Sequence, residues 1–248
     1  MRACFLALRN LPVLEMLKLE EALFRTSKHS WFITNTFDHN KQEQASAVVL
    51  GISGKPQQMM HANKVKDQGV TVIKRFTGGG TVVTDVNTIF ASFIAVEEAL
   101  PHVAPYPAPI LEWTASIYAE ALAHCGCADF KVQANDYCIG SMKFGGNAQS
   151  ISGKRWLHHT SLLWDFDPAL MNLLKMPPRQ PDYRAERSHR DFVRGLSAAL
   201  PSRATFLDAL QKAVSERVQL VPTNIDEARI ALSSPHRQTT RVLGDIEL

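Results

Sequence analysis

The chain has 248 residues, of which 45% are hydrophobic and 21% are charged, a composition typical of a folded globular protein and not of a disordered chain. This length accommodates one large domain or two small ones. The net charge is only +3 and no lysine- or arginine-rich run is dense, so we predict no nucleic-acid partner. No apolar run approaches the roughly 20 residues that cross a bilayer, so we predict no membrane partner.

The cysteine content indicates a reducing environment. Cys4, Cys125, Cys127 and Cys138 are too few and too irregularly spaced for a disulfide framework in a chain of this length. We therefore expect an intracellular protein, with mitochondrial and cytoplasmic locations both open. The first nine residues contain two arginines and no acid, like the tail of a transit peptide, but they run directly into an amphipathic stretch and are better explained as a first strand.

The first quarter of the chain alternates between short hydrophobic runs and segments with helical periodicity. Pro12 suits the first turn of a helix, because its missing N–H is not needed there. Hydrophobic patterning predicts strands at residues 3–8, 31–34 and 45–51 and helices at residues 11–25 and 57–66.

Three consecutive glycines, Gly78, Gly79 and Gly80, join two β-branched runs that predict strands, at residues 70–73 and 81–84. Residues without a Cβ atom let the backbone approach a ligand and turn several N–H groups toward one anionic or carbonyl oxygen. Arg75, shortly before the first glycine, adds a permanent cation. A hairpin with a glycine bulge explains the same pattern, so a binding loop and a hairpin both stay open at this point.

The rest of the chain continues the mixture of strands and helices, without a repeat or a linker. Ser188 and Thr205 suit helix caps, because a side-chain oxygen accepts from a free N–H of the first turn. We predict strands at residues 88–96, 129–132, 137–139 and 155–164 and helices at residues 110–124, 169–175, 191–200, 205–218 and 226–232. These elements predict one domain over residues 1–248, with terminal helices from about residue 188.

Two further stretches contain candidate functional side chains. Lys143 stands between apolar residues and just before Gly145 and Gly146, which is poorly suited to a solvated charge, so we expect it to project into a cleft. Alternation along the strand at 155–164 sends one of the adjacent His158 and His159 inward and the other outward. Taken alone, this pair is best explained by one packed, hydrogen-bonded histidine and one exposed neighbour.

Three blocks occur in order along the chain: KRFTGGGTVVTD from Lys74, NDYCIGSMKFGGNAQ from Asn135 and RWLHHTSLLWDFD from Arg155. Together they resemble the lipoate–protein ligase A family of the biotin/lipoate protein ligase superfamily. Its members have an Arg-Arg-x-Ser/Thr-Gly-Gly-Gly loop, an Asn-Asp strand, a Lys-x-Ser/Gly-Gly-Asn/Ser-Ala core and a His-His-Gly/Thr-Thr/Ser-Leu-Leu strand. The resemblance covers roughly residues 5–200 and implies an α/β (α+β) catalytic domain with a mixed sheet flanked by helices.

The resemblance also implies an activity. ATP, with Mg²⁺ as activator, would convert lipoate to lipoyl-AMP, and the lipoyl group would pass to a lysine of a lipoyl carrier domain. That domain belongs to the E2 component of a 2-oxoacid dehydrogenase or is the glycine cleavage H protein. No tightly bound prosthetic group is implied. This ligase and acyltransferase chemistry brings a carboxylate up to a triphosphate, so it needs fixed cations and backbone donors.

The matched motifs assign roles to individual residues. Lys143 would lie between the lipoyl carbonyl and the AMP phosphate as an electrostatic clamp, and Arg75 would hold the phosphate or carboxylate. Asp136, with Asn135 near the nucleotide, would also orient Mg²⁺ or the incoming amine. The resemblance implies that Gly78, Gly79 and Gly80 line the acyl channel and that His159 flanks the lipoyl tail. It implies further substrate binding by Thr77, Thr81, Gly146, Asn147 and Ala148.

The sequence departs from the family pattern in places, and alternatives stay open. Phe76 occupies a position that is usually small, and Thr84 replaces a common histidine. The chain ends at Leu248 without room for the C-terminal accessory domain of bacterial-type ligases, so we expect a separate accessory protein as a partner. The alternatives are a lipoyltransferase that uses ready-made lipoyl-AMP, an octanoyltransferase with Cys127 as nucleophile, and a non-catalytic scaffold that binds lipoyl domains.

Overall fold

A computed structural model describes residues 2–96, 99–244 and 247. The strands are β1 (Arg2–Arg9), β2 (Ser30–Thr36), β3 (Ala47–Leu50), β4 (Thr71–Lys74), β5 (Val82–Thr84), β6 (Thr88–Ala95), β7 (Phe130–Gln133), β8 (Asp136–Ile139), β9 (Met142–Ser152), β10 (Arg155–Leu163), β11 (Gln219–Pro222) and β12 (Arg241–Val242). The helices are α1 (Val13–Thr26), α2 (Gln42–Ala45), α3 (Pro56–Met59), α4 (Ala62–Asp67), α5 (Pro107–His124), α6 (Pro168–Met171), α7 (His189–Phe192), α8 (Arg203–Ser215) and α9 (Ile225–Ser233). Short 3-10 turns lie at Asp182–Arg184 and Leu196–Ala198.

The larger sheet is mixed and has eight strands in the order β11-β1-β2-β6-β10-β9-β8-β7. Strand β1 is parallel to both of its neighbours, and α1 provides the crossover that parallel β1 and β2 require. From β2 to β7 every neighbouring pair is antiparallel, and short turns connect β7 to β8, β8 to β9 and β9 to β10. The predicted fold class, a mixed sheet flanked by helices, is confirmed.

The smaller sheet has four strands in the order β12-β4-β3-β5. Strand β4 is parallel to β3, whereas β5 is antiparallel to β3 on its other side. The triple-glycine segment therefore crosses over the end of β3 and does not form a hairpin between β4 and β5. The hairpin alternative is wrong, because the two strands flanking the glycines are not neighbours in the sheet.

Helices cover both faces of the larger sheet and bury its apolar side chains, which is the main driving force for folding. One face packs against α5 and α8, and this core includes Phe32, Phe93, Ile117, Trp156 and Leu210. The other face packs against α1 and α9, and this core includes Leu19, Leu23, Ile33, Leu157 and Ala228.

Phe76 belongs to the core beneath α1 and α9, where its ring lies 5.7 Å from that of Phe24. This packing explains how a large side chain is accommodated at a position that is usually small in the family.

Most predicted elements are confirmed with shifted ends, but several are wrong. The predicted helix at 57–66 is two helices, because Met60 is extended and bridges to Leu174. The predicted helix at 191–200 ends at Phe192, because the next residue, Val193, bridges to Lys143. Ser188 caps α7 as predicted, whereas the cap of α8 is Ser202 and not Thr205.

Four helices and strands are additional to the sequence-based predictions: the long strand β9, which carries Lys143, the short helix α2, and the short strands β11 and β12 near the C-terminal end. The assignment of the whole chain to a single domain stays a prediction. Among the described residues, none of the helices combines the length and the apolar character that crossing a membrane demands.

Candidate active site

The triple-glycine segment is held tightly against two strands. The Arg75 N–H donates to the Leu50 carbonyl at 3.0 Å, and the Gly78 N–H donates to the Gln149 carbonyl at 3.0 Å. Gly79 has a φ of 107°, a conformation that side-chain-bearing residues rarely adopt. A Cβ atom on Gly51 would lie 2.3 Å from the Gly79 carbonyl oxygen, so glycine is also required where the segment crosses β3.

The buried Arg75 guanidinium stabilises this segment from within. It donates to the Thr77 hydroxyl at 2.9 Å and to the carbonyls of Gly78 at 3.1 Å and Gly80 at 2.8 Å, and also to the Val49 carbonyl at 3.3 Å. Burial lowers the pKa of Arg75 to about 10, which leaves it charged at neutral pH. Arg75 thus clamps the glycine segment, and its predicted contact with a substrate phosphate or carboxylate stays a prediction.

Lys143 and Asp136 form an ion pair at the centre of the site. The two-residue turn at Ala134 and Asn135, with φ of 48° and 71°, places Asp136 at the start of β8, beside Lys143 in β9. The Lys143 Nζ lies 2.7 Å from Asp136 Oδ1, and both side chains are partly exposed. A Cβ atom on Gly146 would lie 3.2 Å from Nζ, so the absence of a side chain there gives the ammonium its room.

Tyr183 donates its hydroxyl proton to the second oxygen of Asp136, Oδ2, at 2.7 Å. Burial raises the pKa of Tyr183, and Asp136 and Cys138 raise it further, so the phenol remains a donor. Each oxygen of Asp136 therefore already has a partner, and its predicted role with Mg²⁺ stays a prediction. Tyr183 was not predicted, because it lies in a proline-rich segment with no periodicity or motif.

Two cavities meet at the Lys143–Asp136 pair. The first cavity is about 470 Å³ and the second is about 550 Å³. The first has apolar walls from Val13, Leu17, Val49, Phe90 and Leu111. The predicted site residues that line it are Arg75, Gly78, Gly79, Gly80, Thr81, Asn135, Asp136, Lys143, Gly146, Asn147, Ala148 and His159. Thr77 is the exception, because its buried hydroxyl accepts from Arg75 Nε and it lines neither cavity.

The second cavity lies on the other side of the ion pair and has a different chemical character. Its walls combine apolar side chains with several cations, and the proline-rich segment after α6 closes one side. The basic residues among them are Lys143, Lys175, Arg179, Arg184 and His189, the acidic residue is Asp136, and the prolines are Pro177, Pro178 and Pro181.

His159 contacts the first cavity from β10, and a buried carboxylate behind it holds its ring. Glu20 Oε1 and Oε2 lie 3.1 Å and 3.0 Å from His159 Nδ1. Ser92, directly opposite His159 in the register with β6, donates its hydroxyl to Glu20 Oε1 at 2.6 Å. Neither Glu20 nor Ser92 was predicted, since a glutamate in an amphipathic helix gives no sign of which partner it will face.

His158 is not the exposed neighbour that the alternation suggested, because α5 covers its face of the sheet. Its side chain is fully buried, with Nε2 2.8 Å from the Tyr137 hydroxyl and Nδ1 3.0 Å from Gln149 Nε2. Desolvation lowers the pKa of His158 to about 3, so this ring is a neutral structural group.

Cys138 lies beside the ion pair, opposite Lys143 in the register of β8 and β9, and its thiol donates to the Tyr183 hydroxyl at 3.5 Å, but it lines neither large cavity. Cys127, the nucleophile of the octanoyltransferase alternative, packs in the core beneath α5 and lines neither large cavity. Burial raises the pKa of Cys125 and of Cys138. The part of the chain that the structure describes contains no cluster of three His, Cys, Asp or Glu side chains arranged for a metal ion.

The fold and the site together define an α/β domain in which a lysine–aspartate pair separates two ligand-sized cavities. Residues 12–218 match the family model of the lipoyl protein ligase A/B catalytic domain. The protein belongs to this family, as the sequence motifs predicted.

Two relatives of similar sequence identity have different names, one an inactive ligase and the other a ligase. The chain is 28% identical over 244 residues to the inactive lipoate–protein ligase 2 of Plasmodium falciparum, covering 79% of this chain and 64% of that relative. It is 28% identical over 159 residues to the lipoate-protein ligase A of Bdellovibrio bacteriovorus, covering 62% of this chain and 44% of that relative. The chain thus spans less than two thirds of the length of either.

Solved structures share the fold at low sequence identity. A crystal structure of lipoate-protein ligase A bound with ATP superposes with a TM-score of 0.76 at 18% identity, covering 94% of this chain and 93% of the other. A bipartite lipoate protein ligase from Thermoplasma acidophilum, described with its E2 lipoyl domain, superposes with a TM-score of 0.73 at 19% identity, covering 94% and 91%.

Proposed function

We propose that the protein is a lipoate–protein ligase, which activates lipoate with ATP and transfers the lipoyl group to a lysine of a lipoyl carrier domain. One observation carries this proposal: the Lys143 ammonium lies at the junction of an apolar-ended cavity and a cation-lined cavity. A reaction that joins an acyl carboxylate to a nucleotide phosphate needs this arrangement, since charge develops where the two substrates meet.

The first cavity suits the acyl chain. Val13 and Leu17 from α1 and Phe90 from β6 give it an apolar end, while Asn135, Asp136 and Lys143 give it a polar end. An alkyl chain buried at the apolar end would direct its carboxylate toward the Lys143 ammonium. Burial of each methylene contributes about 0.8 kcal/mol, so a short fatty chain supplies ample binding free energy.

The second cavity suits the nucleotide. Lys175, Arg179 and Arg184 place positive charge on its walls, and Met59, Met171 and Leu174 supply apolar surface for a base or ribose. Mg²⁺ would arrive with the ATP phosphates as part of the substrate, which is its usual mode of binding in such sites. No step in the chain's own chemistry requires a further resident group.

Lys143 would act on both half-reactions by holding negative charge. In the first, a lipoate oxygen attacks the α-phosphorus, the new C–O–P link forms, and pyrophosphate leaves with the electrons of the broken P–O bond. In the second, the amine of the carrier lysine attacks the acyl carbonyl, the C–O bond to the phosphate breaks, AMP leaves with its electrons, and the amine proton passes to bulk water. The Lys143 ammonium would exchange Asp136 for the substrate oxygens, and Asp136 would then be free to orient the incoming amine.

The partners follow from the second half-reaction. The acceptor lysine must reach the junction from outside, so we propose a carrier protein that presents this lysine on its surface. The Thermoplasma ligase that is described with its E2 lipoyl domain supports a lipoyl domain as this partner. Its bipartite form also supports a separate accessory protein, and the choice between E2 and H-protein carriers stays open within the proposal.

A second candidate function is a lipoyltransferase or a non-catalytic lipoyl-domain-binding protein. The Plasmodium relative is named an inactive ligase, which supports this second candidate. The location of Cys127 in the core counts against the octanoyltransferase alternative, because a nucleophile must reach the acyl carbonyl.

Lipoate-dependent exchange of pyrophosphate into ATP tests the proposal most directly. Exchange with the wild-type protein, lost in Lys143→Met, supports a ligase. Transfer to a lipoyl domain from supplied lipoyl-AMP, without exchange, supports the transferase. A protein that does neither but binds lipoyl domains would overturn the enzymatic proposal. Lys131→Met, which removes an exposed lysine of β7, is the matched control.

A further inference from the structure

We infer that the first cavity has a second arm that admits the side chain of the acceptor lysine, and that Gln149 binds the amine of this lysine. We call this part of the cavity the amine arm, and it is lined by Pro107, Leu111, Asn135, Asn147 and Gln149. The inference rests on the proposed function, because that function brings a carrier lysine to the junction at Lys143.

The lining of the first cavity extends over both faces of β9. Ala148 pairs with His159 on the face that packs against α1, whereas Gln149 pairs with His158 on the face that packs against α5. Residues directly opposite each other in paired strands share a face. Ala148, His159 and Gln149 all line the cavity, so the cavity passes around the edge of β9. Strand β8 leaves this edge uncovered, because it pairs with β9 only as far as Gly145.

The amine arm is apolar on one side and opens to solvent. Leu111 is buried in the core beneath α5 and gives the arm an aliphatic wall. Pro107 and Asn135 are exposed, so the arm reaches the protein surface. Tyr106, directly before Pro107, is 66% exposed, and a carrier protein that covers the opening would contact its ring. Tyrosine is one of the residue types that contribute most to protein–protein binding.

The side-chain amide of Gln149 is held in one orientation. Its Nε2 lies 3.0 Å from His158 Nδ1 and 3.3 Å from the Pro107 carbonyl oxygen. A carbonyl oxygen only accepts, so Nε2 must be the donor, and its two hydrogens serve these two partners. The residues that the structure describes supply no donor to Oε1. Gln149 therefore presents one acceptor oxygen to the arm.

His158 is a positioning residue for this oxygen. Because Nδ1 accepts from Gln149, the hydrogen of the neutral ring is on Nε2, which donates to the Tyr137 hydroxyl at 2.8 Å. Tyr137 donates in turn to Thr114 Oγ1 at 2.9 Å, and Thr114 donates to the Ile110 carbonyl at 3.0 Å. This chain of donors runs in one direction, so a rotation of the Gln149 amide would place two donors against each other.

Asn147 presents a second acceptor closer to the junction. Its Nδ2 donates to the Asn135 carbonyl at 2.6 Å, which leaves Oδ1 for the arm. Asn147 and Gln149 lie two residues apart in β9, so they share a face and are separated by about 7 Å. Asn147 also directly follows Gly146, whose missing side chain gives the Lys143 ammonium its room. The two acceptors therefore lead from the surface toward the junction.

The donors of the three proposed substrates indicate which one the arm binds. Lipoate has a carboxylate and a disulfide, which only accept. The hydroxyls and amine of a nucleotide would lie in the second cavity, which neither Asn147 nor Gln149 lines. The remaining donor is the lysine ammonium, with three N–H groups on a four-carbon stem that suits the Leu111 wall. Neutral amide oxygens bind an ammonium less tightly than a carboxylate does, so the amine can still lose its proton to water.

Gln219 provides a matched control. It lies in β11, at the opposite edge of the larger sheet, and its side-chain amide accepts from Arg2 Nε at 3.1 Å. Its side chain is exposed and lines neither large cavity. Gln219→Met therefore makes the same chemical change in a strand of the same sheet, away from the amine arm.

The first experiment compares the wild-type protein with Gln149→Met and Gln219→Met in two measurements, the affinity for lipoyl-AMP and the rate of transfer from supplied lipoyl-AMP to a lipoyl domain. We expect Gln149→Met to lower kcat/KM for the lipoyl domain by about tenfold or more, the factor that one hydrogen bond to a charged group produces. The dissociation constant of lipoyl-AMP should change by less than about twofold, and Gln219→Met should match the wild-type protein in both measurements.

The second experiment tests contact with the lysine itself. With AMP bound, the lipoyl domain should bind the wild-type protein about tenfold more tightly than the same domain with methionine in place of its acceptor lysine. This ratio should fall close to one in Gln149→Met and in His158→Phe, and the double variant should go no further. A ratio that is the same in Gln149→Met and in the wild-type protein would overturn the inference, because Gln149 would then contact some other part of the carrier.

Two further outcomes separate this inference from the proposed function. A wild-type protein that transfers the lipoyl group, beside a Gln149→Met variant that transfers equally well or loses lipoyl-AMP affinity to the same extent, would overturn the amine arm alone. A wild-type protein that transfers no lipoyl group would overturn the proposed function itself. If Gln149→Met does not fold in urea unfolding, Asn147→Leu, which removes the second acceptor, decides by the same measurements.

Discussion

The two faces of β10 carry the same residue type in adjacent positions and use it differently. His158 lies under α5, and both of its ring nitrogens have protein partners, Tyr137 and Gln149. His159 lies on the opposite face, and its hydrogen-bond partners among the described residues, Glu20 and Ser92, are on Nδ1. Both are buried, so burial alone does not distinguish a core histidine from a site histidine. The distinguishing feature is whether the second nitrogen has a partner within the protein.

Among the residues that line the cavities, as His159 does, Lys143 should show the largest effect when it is substituted. Lys143→Met removes the ammonium but keeps most of the aliphatic stem. A charge-assisted contact contributes about 1.5–3 kcal/mol, so acyl-adenylate formation and transfer should fall by about ten- to more than a hundredfold. Steady-state rates of both half-reactions, measured beside urea unfolding, separate this loss from a folding defect. A near-normal rate for Lys143→Met would contradict the role assigned to the ion pair.

The glycine segment gives the next largest effect and contrasts two adjacent positions. Gly79 has a φ of 107°, and an added Cβ would lie 2.8 Å from Arg75 Nη2 and 3.0 Å from the Asn147 carbonyl. Gly80 has open space around the corresponding position. Gly79→Ala should therefore lower the free energy of unfolding by about 1–3 kcal/mol, and Gly80→Ala by about 0.5 kcal/mol or less. Equal stabilities of the two variants in urea unfolding would contradict the strain at Gly79.

His158, the core histidine of this comparison, should make the free energy of unfolding depend on pH. The folded protein keeps His158 neutral, with a pKa of about 3, whereas the unfolded chain binds a proton near pH 6.5. Above that pH His158 is neutral in both states and does not lower the free energy of unfolding. As the pH falls toward about 3, only the unfolded chain binds the proton, and the free energy of unfolding decreases by at most about 1.4 kcal/mol per pH unit. Urea unfolding of the wild-type protein and of His158→Gln at about pH 7 and about pH 5.5 tests this, and the variant should show the shallower decline. Parallel declines would show that other groups titrate instead.

Features encoded in contiguous sequence were predictable. The glycine segment, the Asn135–Asp136 pair and the Lys143 block each consist of residues close together in the chain, so their motifs could be recognised and their convergence at one site followed from the resemblance. The fold class was predictable for the same reason, because strands and helices leave local hydrophobic periods. The structure places all of these predicted residues around the first cavity except Thr77.

Features that depend on distant contacts were not predictable. Glu20 meets His159 across 139 residues of sequence, and Tyr183 meets Asp136 across 47. Neither contact leaves a pattern in the chain, since any polar residue of an amphipathic helix or a loop would look the same. The predicted helix at 191–200 failed through a similar long-range contact, because Val193 is extended to bridge with Lys143 and the Arg194 N–H donates to the Lys143 carbonyl at 2.9 Å.

The smallest expected effect tests one of these unpredicted contacts, the hydrogen bond from Tyr183 to Asp136. Tyr183→Phe removes the hydroxyl but keeps the ring that packs 5.1 Å from Phe192. A hydrogen bond of this kind contributes about 0.5–1.5 kcal/mol, so the rate of acyl transfer should fall by about two- to tenfold. Because Asp136 would still pair with Lys143 but lose its second restraint, the loss should be in kcat with little change in KM for lipoate. A rise in KM alone would instead show that Tyr183 shapes a cavity wall and does not position the ion pair.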